Sequence, residues 1–312
     1  MKPSGPDFID LAGASAANLK QGLAALHGYS KFSSILWIRA LGEPTLDGII
    51  VRRWSAGTAK ALRAFCIRHN CKEFLVRTDT HLRRWSRRRG GYLVSAEAAK
   101  VVVSDILSER AVAAMLEPLS PYRDLYCLTC LAIPEERRLV VEVVGPGFDT
   151  SDLLRSDLLP HERFDVLTLG ETSPLMRPAD IALKRTYVID DEEYLKSVEA
   201  RVTKIGARLR DPAFPEKVVR DNRKLSREAV EFLKAKEPFI LRHAEHYEPI
   251  PRSLLLRFSL GVLRMLGHLT RLGLHLGSVS FSGTFTARKR LVYWDFFPAD
   301  IKKTHLLYSF RS

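Results

Sequence analysis

Between residues 73 and 124 the chain sets out, in order, groups that could hold a nucleotide. A strand-like run, Phe74-Leu75-Val76, delivers Arg77, and a cation at a strand end can neutralise phosphate charge. Thirteen residues later come Gly90 and Gly91, and glycine loops let backbone N–H groups close on phosphate oxygens. The segment Met115-Leu116-Glu117-Pro118-Leu119 offers an adenine apolar contact and hydrogen-bonding groups. Asp124 follows seven residues after Glu117, where a carboxylate can accept from ribose hydroxyls. The competing reading is plain: ordinary strands, a basic loop and a turn.

Other stretches also gather ionisable groups. Gly145-Pro146-Gly147 makes a turn ahead of Asp149 and Asp152, so those carboxylates could be held at a substrate site. Asp152 equally suits the N-cap of a helix over 153–158. His161 sits beside Glu162, Arg163 and Asp165 and is a further substrate candidate. In the segment 81–91, Arg83, Arg84, Arg87, Arg88 and Arg89 surround Trp85; an aromatic there could stack on a base while the arginines hold phosphate. A solvated loop with Trp85 packed back is the alternative. Arg257, Arg264 and Arg271 recur every seven residues of a helical pattern, about 10.5 Å apart at 1.5 Å rise per residue, a row that could face an anionic substrate or only water.

The chain is long enough, at 312 residues, for two domains or one large one, and 46% hydrophobic residues argue for a packed core. Forty-nine basic against 36 acidic residues give a formal charge of +13, which favours anionic partners without choosing among nucleotide, nucleic acid and acidic substrate. The first ten residues lack an apolar signal region. The most apolar stretch, 254–276, is interrupted by Arg257, Arg264, His268 and Arg271, too many charges for a membrane span. A cytoplasmic protein without membrane partners is expected. Cys66, Cys71, Cys127 and Cys130 could in principle make a four-thiolate zinc site, but strand alternation puts Cys127 and Cys130 on opposite faces. Buried free thiols are the reading that follows.

The elements that must position these groups follow from periodicity. Helices are expected over 14–26, 55–69 (ended by Asn70), 97–115, 190–208, 226–236 and 253–272, the last capped by Ser253 and closed by Gly273. Strands are expected over 34–38, 73–77, 124–133, 138–144, 279–285 and 290–296. Leu255, Phe258, Val262, Leu266 and Leu269 form the apolar stripe of the 253–272 helix.

The order of Arg77, Gly90 and Gly91, Glu117 to Leu119 and Asp124 resembles the ATP-grasp enzymes, over roughly residues 70–135 and again near the C-terminus. The resemblance implies an α/β (α+β) fold in which two subdomains clasp a nucleotide: a small N-terminal unit over 1–54, a first subdomain over 55–115 and a second over 116–312 with a helical insertion. It implies ATP and Mg2+ as cofactors, with Arg77 on phosphates, Gly90 and Gly91 covering them, Glu117 and Leu119 framing adenine, and Asp124 on ribose. Asp295 matches a metal-binding glutamate, but the neighbouring asparagine position holds Phe297, and no carboxylate occurs over 278–282. Phenylalanine offers magnesium no oxygen, so Asp300, Asp149 and Asp152 are the available substitutes. The activity implied is ATP-dependent ligation, in which a carboxylate of a small molecule or peptide is phosphorylated and then attacked by an amine or thiol; Arg77 and Asp295 would carry catalysis. Two alternatives stand beside it: a nucleic-acid-binding protein using the arginines from Arg83 to Arg89, and a nucleotide-binding pseudoenzyme.

Overall fold

The computed structural model describes residues 6–26, 31–79, 92–108, 113–118, 124–145, 159–190, 248–273, 277–286 and 288–298, together with 192, 193, 196 and 200. The fold is α+β, built on two antiparallel sheets. The chain divides into two compact units, one of residues 1–40, 45–121 and 207–235, the other of 41–44, 122–206 and 236–312.

The first unit holds strands β1 (Phe8–Asp10), β2 (Ile49–Val51), β3 (Glu73–Asp79), β4 (Tyr92–Ser95) and β5 (Ala113–Pro118), in the order β1-β2-β5-β3-β4. Side chains alternate across a sheet, and here both faces are apolar. Ile49, Val51, Phe74, Val76, Ala114 and Leu116 pack with α3 (Ala56–His69) and α4 (Ala99–Ser108), while Ile9, Ile50, Ala113 and Met115 pack with α1 (Ala16–Leu26) and α2 (Lys31–Ala40). The unit is therefore a sheet between two helical layers. β1 and β2, from the first 54 residues, are strands of this same sheet.

Helix α3 begins and ends as its sequence dictates: Ser55 and Thr58 form a reciprocal capping box, and Asn70 closes it in the left-handed region at φ 46°. Two expectations are corrected. The run Ser34–Ile38 is helical, within α2, because Phe32, Ile35 and Leu36 belong on one buried side and the Phe32 N–H is capped by Asp79 Oδ2 at 2.7 Å. The helix expected over 97–115 stops at Ser108, and Met115 lies in β5, paired between β2 and β3.

The second unit holds β6 (Asp124–Ile133), β7 (Arg138–Val144), β8 (Glu162–Thr168), β9 (Ile181–Val188), β10 (Val279–Thr286) and β11 (Leu291–Pro298), in the order β11-β10-β6-β7-β8-β9. β6 and β7 join through the turn Pro134–Glu136. Helix α5 (Arg252–Arg271) starts after Pro251 rather than at a Ser253 cap. Its expected stripe, Leu255, Phe258, Val262, Leu266 and Leu269, is buried. Gly273, at φ 75°, follows its end. Gly267 sits against the backbone of Ser173 and Pro174, closer than any Cβ would allow. Among the described residues no helix is long and apolar enough to cross a membrane.

Candidate functional site

In the first unit the structure joins two of the residues singled out by sequence. Arg77 on β3 and Glu117 on β5 lie on adjacent strands, in the register that opposes Leu75 to Glu117 and Arg77 to Met115. Arg77 Nε meets Glu117 Oε1 at 2.8 Å, with both side chains largely buried. Strand alternation places the pair, with Asp79, on the face that packs α1 and α2. An arginine held by a carboxylate in this way keeps its position as well as its charge. Gly90, Gly91 and Leu119, and the basic residues Arg83 to Arg89, lie outside the described residues.

In the second unit a row of polar residues crosses all six strands. The registers oppose Asp295 to Ser282, Ser282 to Thr129, Thr129 to Glu142, Glu142 to Arg163 and Arg163 to Tyr187. Directly opposed residues of antiparallel strands point to the same face, so these six side chains share one side of the sheet. A bulge at Trp294 makes this possible. Tyr293 opposes Gly283 and Asp295 opposes Ser282, so the extra residue throws Tyr293 and Asp295 to opposite faces. Tyr293 stacks on Phe258 of α5 and its hydroxyl donates to the Phe258 carbonyl at 2.8 Å. Asp295 is thereby on the face away from α5. Ser280, Thr284 and Cys127 share that face, and all are buried together with Ser282, Thr129, Glu142 and Asp295.

At the centre of the row Glu142 is fully buried. Arg163 donates to its Oε1 through Nε at 3.0 Å and Nη2 at 2.8 Å, whereas Oε2, also buried, has no hydrogen-bond partner among the described residues. Burial pushes the Glu142 carboxyl up to about 7, against the pull of the Arg163 guanidinium. The opposite face carries a second buried carboxylate, Glu162, whose Oε1 pairs with Arg185 at 3.0 Å and whose Oε2 accepts from the Ile250 N–H at 2.7 Å. Neither Glu142 nor Glu162 stood out as a site in the sequence; an acid in the middle of Val140-Val141-Glu142-Val143-Val144 was the available signal for the first.

The remaining candidates are placed as follows. His161 is fully buried, and its Nδ1 accepts from the Gly145 N–H at 2.8 Å. Burial depresses it to about 3, so it is a neutral imidazole protonated on Nε2. Arg264 donates through Nε and Nη2 to the Met176 carbonyl at 3.0 and 2.8 Å, fastening the 173–177 turn to α5. Arg257 of the same row donates to the Lys289 carbonyl at 3.2 Å. Asp124 begins β6 as expected. Asp149, Asp152 and Asp300 lie outside the described residues. All four cysteines are free thiols, Cys127 and Cys130 buried.

Among the described residues, the ligands of the magnesium site that the resemblance implies are not brought together. Beside Asp295 the row supplies hydroxyls, Ser282 and Thr129, and the next carboxylate, Glu142, is three strands away, about 14 Å at the usual strand spacing. Among the described residues no group of three or more His, Cys, Asp or Glu could hold a metal.

No family model matches the chain, and no curated protein matches it. Among solved structures it is similar to D-cycloserine synthetase DcsG (11% identity, TM-score 0.36, covering 86% of this chain and 61% of that one). It is similar to D-alanyl-alanine synthetase A from Vibrio cholerae O1 biovar eltor str. N16961 (9% identity, TM-score 0.34, 86% and 54%). A third is Ca. Korarchaeum cryptofilum ACD1 in complex with coenzyme A (9% identity, TM-score 0.41, 90% and 98%). The chain spans less than two thirds of the length of the first two.

Proposed function

We propose that the chain binds ATP on an ATP-grasp-like scaffold and uses it to activate a carboxylate as an acyl phosphate, for attack by an amine or thiol. The observation that carries this reading is the Arg77–Glu117 pair. Two residues 40 apart in sequence, singled out for phosphate and adenine contact, prove to be strand neighbours joined at 2.8 Å. In the proposal Arg77 neutralises phosphate, Glu117 presents it and contacts adenine, and Asp124 accepts from ribose hydroxyls.

A second reading, nucleotide binding without turnover, is favoured by one observation: among the described residues, oxygen ligands for magnesium are not gathered around Asp295. Calorimetric titration with ATP, in magnesium and then in chelator, tests both. Micromolar binding that strengthens with magnesium and is lost in Arg77→Ala supports the ligase. Binding unchanged by chelator supports the second reading. Absence of ATP binding rejects both and directs attention to nucleic acid, where the logarithm of affinity should fall steeply with that of salt.

A further inference from the structure

Within the second unit, between β8, β9 and the start of α5, lies a cavity of about 220 Å3. Phe164, Leu183, Ile250 and Leu255 give it apolar walls, and Arg185 and Arg252 bring two guanidiniums to it. An apolar cavity of about 150 Å3 takes a benzene ring, so this one has room for such a body and a polar head. Arg185 is placed there by an irregularity of the sheet. Arg163 opposes Tyr187 whereas Phe164 opposes Arg185, so Thr186 is the extra residue and Arg185 shares the α5 face with Phe164 and Leu183. Its guanidinium lies over the Phe164 ring, 5.4 Å from the centroid, and its Nη2 meets Glu162 Oε1 at 3.0 Å. Glu162 is fully buried, and its Oε2 accepts from the Ile250 N–H at 2.7 Å. One carboxylate therefore ties the sheet wall of the cavity to the wall that leads into α5, at the desolvation cost of its burial. That contact orients Arg185, whose side chain keeps 47% exposure and so stays within reach of a ligand. Arg252, the first residue of α5, is exposed.

We infer that this cavity binds a small carboxylate with an aryl or branched-alkyl body. The body lies against Phe164, Leu183, Ile250 and Leu255, and the carboxylate is held by Arg185 and Arg252. Two guanidiniums against the single carboxylate of Glu162 leave one positive charge in excess at an apolar cavity, which calls for one negative charge on an apolar molecule. A planar carboxylate also matches the guanidinium fork, which can give it two parallel N–H···O bonds. Sites for drug-sized ligands begin at roughly 300 Å3, so a nucleotide is too large for this one. The inference is therefore separate from the nucleotide reading and stands or falls without it.

The test is calorimetric titration of the full chain, at low salt, with phenylacetate, 4-methylpentanoate, acetate and phenylacetamide. Phenylacetate and 4-methylpentanoate should bind with a Kd of about 1 mM or tighter, as expected of ligands this small. Acetate lacks the body and phenylacetamide lacks the charge, and each should bind at least about tenfold more weakly. Arg252→Gln changes an exposed side chain and leaves the Glu162 contacts in place; it should weaken phenylacetate about tenfold. Leu183→Trp, which fills the cavity from β9, should weaken it at least as much. No phenylacetate binding at about 10 mM overturns the inference. So does acetate or phenylacetamide binding as tightly as phenylacetate, or a phenylacetate affinity unchanged in either variant.

Discussion

Acidification should expose the cost of charging His161. Its Nδ1 accepts from the Gly145 N–H, so protonation there would lose that bond as well as bury a cation. The depression from 6.5 to about 3 corresponds to about 5 kcal/mol of stability by linkage. The sign follows from the direction. A histidine whose folded value is lowered contributes stability that is complete above 6.5 and lost as pH falls toward 3. About 2 kcal/mol should be gone by about pH 5. Glu142 acts in the opposite sense over the same window. Its raised value means stability that is full below 4.5 and lost as pH rises to about 7. The two nearly cancel, so the profile of the unsubstituted protein alone would be misleadingly flat. His161→Asn keeps a carbonyl that can accept from Gly145 and removes the titration. Urea unfolding of both proteins at about pH 8 and about pH 5 should show the variant gaining about 2 kcal/mol relative to the unsubstituted chain at the lower pH. Parallel stability curves would refute the buried neutral imidazole.

Arg77→Met should cost about 3 kcal/mol in denaturant unfolding, because it leaves Glu117 buried without its cation, and the double change Arg77→Met with Glu117→Leu should cost much less; additive losses would deny the coupling. Gly267→Ala should cost about 1–3 kcal/mol or more, since the new Cβ would come within 2.6 Å of Pro174 N, a backbone atom that cannot swing aside. Gly170→Ala, with nothing within 4 Å, should stay within about 0.5 kcal/mol; similar losses at both glycines would refute the close approach. A disulfide reagent at neutral pH should react slowly with Cys66 and Cys71, whose thiols burial raises (Cys71 to about 11), and with Cys127 and Cys130 only after unfolding; rapid reaction of any thiol in the native protein would contradict the packing.

Local signals were readable wherever the deciding interaction was local. Ser55, Thr58 and Asn70 terminate α3 through neighbours within a few residues, and the hairpins of β6 with β7 and β10 with β11 follow from alternation and turns. Sequence failed where the deciding partner was distant. Ser34–Ile38 reads as a strand because a short apolar run fits either period, and what favours the helix is a cap from Asp79, 47 residues away. Met115 reads as the end of a helix because the strands that claim it, β2 and β3, precede it by far. At the site, Arg77 and Glu117 were legible one by one but not as a pair. Glu142 carries only the mark of an acid within a valine run, and what holds it there, Arg163, lies 21 residues further on. The bulge at Trp294 had no sequence mark, yet it decides which face Asp295 serves.

The second sheet also bears on the choice between enzyme and nucleic-acid binder. β10 reads Val-Ser-Phe-Ser-Gly-Thr-Phe-Thr, an alternation that ordinarily means one face in the core and one in water. Every residue of it but the last is nevertheless buried, so its serines and threonine are covered as fully as its phenylalanines. A surface that binds nucleic acid presents its cations outward, in reach of phosphates. Here the polar groups are withdrawn, the row contains two acids and a single arginine, and that arginine is spent on Glu142. Withdrawing hydroxyls and carboxylates into a low-dielectric layer weakens the fold but strengthens each electrostatic contact a small reactant would make there. For this face, such an arrangement supports the proposed chemistry on a small substrate rather than recognition of a polyanion. The basic excess of the chain then has to act elsewhere than on this face.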